Sequence, residues 1–301
     1  MATKEIAPST TIQVENDTRL RGGRWWATVG WKHALAVAIV VYCVFPLLYV
    51  LSASLNPGGT LTGSATLFSN ISGKNYADLM DTNYPNWMLN SLIVCTATAI
   101  GTVIMGAAAA YAFSRFRFQG RRGGLTTLLI IQMFPQMLAF VAIFLLLLTL
   151  GDVFPQLGIG KHLALISVYL GGALGSNAFL MYGFFNTIPR ELDEAAKIDG
   201  ASHAQIFWGM IMRLVTPILA VTGLLSFVGT YGEFILARIV LNEPESYTLA
   251  VGLYVWASDE RNAPWSLFAA GGVLAAVPII FLFMYLQKYI VAGLTAGSVK
   301  G

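Results

Sequence analysis

Six times along the chain the sequence runs for about twenty residues with almost no charge, near 34–54, 88–112, 125–150, 162–186, 214–237 and 265–287. A run of that length crosses a hydrocarbon core of about 30 Å as a helix. In lipid only helices and closed barrels satisfy their own backbone, and runs this long and apolar are helical. The sequence therefore predicts an all-α integral membrane protein with six transmembrane helices. Charged side chains make up 11% of the 301 residues, against roughly 25% in soluble domains, and mean hydropathy is +0.67. The net charge of +3 does not indicate a nucleic-acid binder, because the basic residues are scattered in short loops and form no stripe.

Orientation follows from the excess of Lys and Arg in cytoplasmic loops. With the N-terminus inside, fourteen of the eighteen basic residues fall in the cytoplasm, among them Arg19, Arg24, Arg115, Arg121, Arg190, Lys197, Arg213 and Lys288. Only Lys74, Lys161, Arg238 and Arg261 fall outside, so both termini are expected inside. The segment 1–33 reads as a cytoplasmic lead, and 34–301 as the six-helix domain. Ser52, Ala53 and Ser54 imitate a signal-peptidase site, but the long polar lead and long apolar run favour an uncleaved anchor. Residues 55–87, rich in Gly, Asn, Thr and Ser, read as an irregular outer loop.

Cys43 and Cys95 sit inside apolar runs and read as small hydrophobes. Glu233, near the outer end of the fifth run, either faces the bundle interior or pairs with Arg238. Gln132, Gln136 and Asn177 are further polar residues at membrane depth, suited to lining a cavity or to bonding between helices.

The loop at 187–213, NTIPRELDEAAKIDGASHAQIFWGMIMR with its flank, is too polar to span and too patterned to be slack. Pro189 followed by Glu191, Asp193 and Glu194 suits a helix start. Gly200 supplies a left-handed stop, and Ser202 with Gln205 has capping-box spacing for a second helix beginning near His203. Glu194-Ala195-Ala196, Asp199 and Gly200, between the fourth and fifth of six helices, resemble the EAA loop of ABC importer permeases. AYAFSRFRFQGRRG at 110–123, IIQMFPQML at 130–138, SYTLAVGLY at 246–254 and KYIVAGLTAGSVKG at 288–301 are similar to the smaller permease subunit of maltose and maltodextrin importers. Arg213 departs from the proline usual in that loop, and YVWASDERNAPW at 254–265 departs from the best-known members.

The resemblance implies a type I ABC importer bundle in the bacterial cytoplasmic membrane, translocating maltose or maltooligosaccharides by alternating access. It implies a second, larger permease subunit as heterodimer partner, two ATPase subunits docking on the EAA loop, and an extracytoplasmic sugar-binding protein. The chain itself would be no enzyme and would bind no cofactor or metal. It has no G-x-x-x-x-G-K-[ST] phosphate cradle, so ATP and Mg would belong to the partner ATPase. Tyr254, Trp256, Ser258 and Asn262 would touch the binding protein or its sugar, the other reading being an interfacial aromatic belt. Similar permeases serve trehalose, other glucosides and glycerol phosphate. An ion-coupled secondary transporter is the rival mechanism, but it would place ionisable residues near the midplane and show repeat symmetry, and neither is evident.

Overall fold

The structure, a computed structural model, describes residues 23–58, 67–259 and 263–298, and these contain no β-strand. The chain divides into two compact units, Met1–Tyr49 and Val50–Gly301. In the first, Gly23–Trp25 and the π-helical turn Trp26–Gly30 run without interruption into α1 (Trp31–Leu55). Trp25 and Trp26 meet edge to face there, with ring centroids 5.2 Å apart.

The second unit continues through α2 (Lys74–Met80), α3 (Tyr84–Arg115), α4 (Arg121–Gln132), α5 (Gln136–Val153) and α6 (His162–Phe185). Then follow α7 (Arg190–Ile198), α8 (His203–Leu214), α9 (Thr216–Gly232), α10 (Ile235–Val240), α11 (Leu249–Ser258) and α12 (Trp265–Ser298). The expected irregular loop at 55–87 contains α2, and α3 starts four residues before the apolar run does. Asn75 makes this possible: its amide donates to the carbonyls of Ser54 and Asn56 at 2.8 and 3.0 Å, tying α2 to the end of α1.

Among the described residues five helices are long and apolar enough to cross a membrane, and α8 with α9 makes a sixth passage only as a pair bent by 80°. The third and fifth expected spans are thus both interrupted. In the third, the run at 125–150 breaks at Met133–Pro135. Pro135 has no N–H to donate to the preceding turn and disfavours helical geometry in Phe134 before it. In the fifth, the expected run at 214–237 is divided among the end of α8, α9 and α10.

The centre of the unit is α3 packed along α6 and α9. Lipid offers no hydrophobic drive for helices to associate, so close approach depends on small residues. Gly101 lies beneath the Leu170 side chain, Gly106 beneath the Met181 sulfur, and Gly223 against Val103. Two clusters fill the interior. One holds Tyr84, Trp87, Cys95, Tyr231 and Leu249, and the other, nearer the end of α3, holds Tyr111, Met181, Phe185, Ile206 and Ile211.

The stretch from 241 to 258 is folded onto the first half of α3. Trp87 Nε1 donates to the Pro244 carbonyl at 2.7 Å, Asn90 Nδ2 to those of Glu245 and Tyr247 at 2.8 and 3.0 Å, and the Leu249 N–H to Ser91 Oγ at 2.7 Å. Gly252 is required here, because a Cβ at that position would occupy the space of the Trp87 indole. Gly252→Ala is expected to lower stability by about 1–3 kcal/mol through overpacking. Gly272→Ala, which meets nothing within 4 Å, is expected to be neutral. Thermal unfolding of the two detergent-solubilised variants checks this.

Candidate functional site

The loop anticipated from sequence forms as two helices about a glycine turn. Pro189 is extended (φ −56°, ψ 136°) and starts α7 at Arg190, with Glu191 and Asp193 in the first turn. Gly200 has φ +82°, a backbone state that side chains with a Cβ seldom adopt. The turn closes through Ala201 N–H to the Ala196 carbonyl at 2.9 Å and Gly200 N–H to that of Lys197 at 3.0 Å. The capping box is complete: Gln205 N–H donates to Ser202 Oγ at 3.3 Å and Ser202 N–H to Gln205 Oε1 at 2.8 Å. His203 opens α8 and lies edge-on to Phe116, ring centroids 5.0 Å apart, in a structural setting.

This loop has an inner and an outer face. Glu191, Glu194, Ala195, Lys197, Asp199 and Gly200 are exposed, as is Ile198 at 88%. Ala196 is buried in the cluster around Tyr111 and Phe185, so it serves packing within the bundle and is not part of the exposed face. Asp193 is buried as well. Its carboxylate lies 2.5 Å from Arg115 Nε, with both side chains more than nine-tenths buried. It is therefore taken by this chain and is not free to meet a partner's cation. The same guanidinium donates to the carbonyls of Phe185 and Ile188 at 3.1 and 3.2 Å, and Arg190 donates to the Ser114 carbonyl at 2.7 Å. Sequence reasoning counted Arg115 only as a cytoplasmic charge. The single signal available was its position as the first cation after a long uncharged run.

A second feature is a cavity of about 540 Å³ within the second unit. The four polar residues at membrane depth, Gln132, Gln136, Asn177 and Glu233, all line it. Gln132 and Gln136 flank the Met133–Pro135 break, and Gln132 Nε2 donates to the Gly172 carbonyl at 2.7 Å. Glu233 bridges a second break. Its carboxylate accepts from Tyr169 Oη at 2.5 Å and from the N–H groups of Leu236 and Ala237 at 2.8 and 3.1 Å, capping α10. It thus faces the interior and is engaged by Tyr169, while Arg238 stacks over the Tyr247 ring at 5.3 Å. Thr98 and Tyr169 join the lining unforeseen, and none of the lining residues among those described is cationic.

The residues from 254 onward are less unified than expected. Tyr254 is exposed and stacks on Phe234 at 4.7 Å, and Ser258 is exposed and bonds back to the Tyr254 carbonyl. Trp256 is partly buried against Trp87, ring centroids 4.9 Å apart, and belongs to the packing of the bundle. Asn262 lies outside the described residues.

Residues 102–296 match the family model described as binding-protein-dependent transport system inner membrane component, and the chain belongs to that family. It is 40% identical to the galactooligosaccharides transport system permease protein of Bacillus subtilis, over 90% of this chain and 95% of that one. It is 38% identical to the maltodextrin transport system permease protein of the same organism, covering 87% and 92%. It is also 38% identical to the maltose/maltodextrin transport system permease protein of Yersinia pestis, covering 89% and 92%. Among solved structures, a chain of a bacterial ABC transporter involved in import of the acidic polysaccharide alginate shares the fold. Its TM-score is 0.77 at 23% identity, covering 90% of this chain and 99% of that one. The chain is thus an all-α integral membrane permease component of a binding-protein-dependent ABC importer.

Gly200→Val would force a β-branched residue into the left-handed region, at about 1–2 kcal/mol. The turn amides of Ala201 and Gln205 are expected to exchange with solvent about tenfold faster in that variant, read by hydrogen exchange, while those of α3 stay unchanged.

Proposed function

We propose that this chain is the smaller permease of an importer for neutral oligosaccharides of the maltodextrin type, working by alternating access with both termini in the cytoplasm. The exposed face of α7 and its glycine turn, Glu194, Ala195, Asp199 and Gly200, would dock on a separate ATPase that carries the ATP and Mg. A second permease chain and an extracytoplasmic binding protein would complete the assembly, with Tyr254 and Ser258 on the side that meets the binding protein.

The observation that carries the substrate class is the cavity lining. The amides of Gln136 and Asn177, the hydroxyls of Ser226 and Thr230, and the side chains of Phe134 and Phe140 line the cavity together with one engaged carboxylate, Glu233. Hydroxyl-rich neutral ligands match donors and acceptors of this kind, whereas a phosphate or uronate would meet no cation. The relatives named for maltodextrin and galactooligosaccharides support the same class. Within it, α-linked glucose oligomers are the favoured substrate, because the segments at 110–123, 130–138 and 246–254 are similar to maltodextrin permeases.

Cells lacking this chain, complemented with the wild type, are expected to accumulate labelled maltotetraose and not glycerol phosphate. Glu194→Lys with Gly200→Asp should insert normally and abolish uptake. Transport that persists in this variant overturns the docking role. Uptake of glycerol phosphate but no neutral sugar overturns the substrate class. Within the cavity, Gln136→Leu is expected to raise the KM for the sugar about tenfold, the equivalent of one strong hydrogen bond. An unchanged KM would remove Gln136 from the pathway.

A further inference from the structure

We propose that Arg115 is a positioning residue that locks the coupling loop onto a paired strut, α3 with α6, whose opposite ends hold the 244–249 segment. Movement at one face of the bundle then reaches the other without crossing a hinge. The inference rests on the docking role proposed for α7 and names the elements that carry its motion.

The inner lock is a single guanidinium serving three elements. Arg115 ends α3, reaches Asp193 on α7, and donates to the carbonyls of Phe185, the last residue of α6, and Ile188 beyond it. Arg190 returns from α7 to the Ser114 carbonyl, so the two arginines cross between the same helices. A buried guanidinium needs its partners to remain in place, so these contacts favour one relative position of α3, α6 and α7.

The outer lock lies at the far ends of the same two helices. On α3, Trp87, Asn90 and Ser91 hold the backbone of Pro244, Glu245, Tyr247 and Leu249. On α6, the first residue, His162, bonds through Nε2 to the Ser246 carbonyl at 2.8 Å. The helix α3 runs 32 residues end to end, about 48 Å at 1.5 Å per residue, with its only proline in the first turn. Gly101 under Leu170 and Gly106 under Met181 key α3 to α6 along the way.

The remaining routes through the second unit's cavity wall are interrupted. The path through α4 and α5 breaks at Met133–Pro135, that through α8 and α9 bends by 80°, and α9 gives way to α10 at Glu233. Compliant segments absorb displacement, whereas continuous packed helices with two discrete positions pass it on. Thr98 on α3 and Tyr169 on α6 both line the cavity, so the strut carries part of its wall.

The test reads both faces at once and does not depend on the sugar. Hydrogen exchange is followed by mass spectrometry on the assembled importer in lipid nanodiscs, with and without ATP and orthovanadate, in peptides covering 190–205 and 244–252. In the wild type both regions are expected to respond. In Arg115→Met with Asp193→Leu, which removes both buried charges together, the ATP response at 190–205 should persist. The response at 244–252 should fall about tenfold.

A full response at 244–252 in that variant overturns the lock. If the variant does not assemble, the decision passes to Asn90→Leu at the far end. Adding the binding protein should alter exchange at 190–205 in the wild type and not in Asn90→Leu, because coupling is reciprocal. Retained coupling there overturns the strut. A wild type silent at 190–205 overturns the docking role of α7. One that responds at 190–205 and is silent at 244–252 overturns the strut alone.

Discussion

The structure depends on one constraint: in hydrocarbon, every backbone N–H and C=O must find a partner within the protein. Most of the chain meets it by remaining helical. Where the helices break, at Met133–Pro135 and between Gly232 and Ile235, the break adjoins the cavity and polar side chains stand beside it. Gln132 binds the Gly172 carbonyl from the first break, and Glu233 receives two backbone N–H groups at the second. Irregular backbone at membrane depth is tolerated only where it is buried in protein or lines a cavity. The same requirement that shapes the fold therefore gathers the polar groups that face the pathway.

A related economy governs the coupling end. Taking Arg115 and Asp193 out of water costs several kcal/mol per ion, offset only by good geometry and further hydrogen bonds. The carbonyls of Phe185 and Ile188 supply those bonds, and that of Phe185 is among the carbonyls that the end of a helix leaves without intrahelical donors. One guanidinium thus pairs with a buried carboxylate and bonds the last carbonyl of a helix and one just beyond it. With Asp193 and Ala196 turned inward, the exposed surface of α7 comprises Arg190, Glu191, Leu192, Glu194, Ala195, Lys197 and Ile198, a small surface of mixed charge and apolar side chains.

The loop was legible almost residue by residue because its signals are local. Left-handed geometry at Gly200, the Ser202–Gln205 box and the acidic first turn each involve positions within four residues of one another. The apolar runs located the helices for the same reason. The signals failed where a contact joins distant positions. Nothing near Trp256 in sequence shows that Trp87 packs against it, and nothing near Arg115 names Asp193, 78 positions on. The run at 125–150 looked continuous because hydropathy averages over Pro135, although the proline itself was a readable warning.

By itself, then, the sequence determined that the chain is helical and membrane-embedded, where its main helices run, and how the loop at 187–213 turns. Hydrophobic length and short-range capping decide these, and both are properties of consecutive residues. Only the tertiary structure decided that four separated polar residues share one cavity, that Glu233 caps a helix against Tyr169, and that Arg115 fastens three helix ends together. Those facts depend on which helices pack side by side. That is set by glycine-sized hollows meeting particular side chains, such as Gly101 with Leu170, across distances that a linear pattern does not encode.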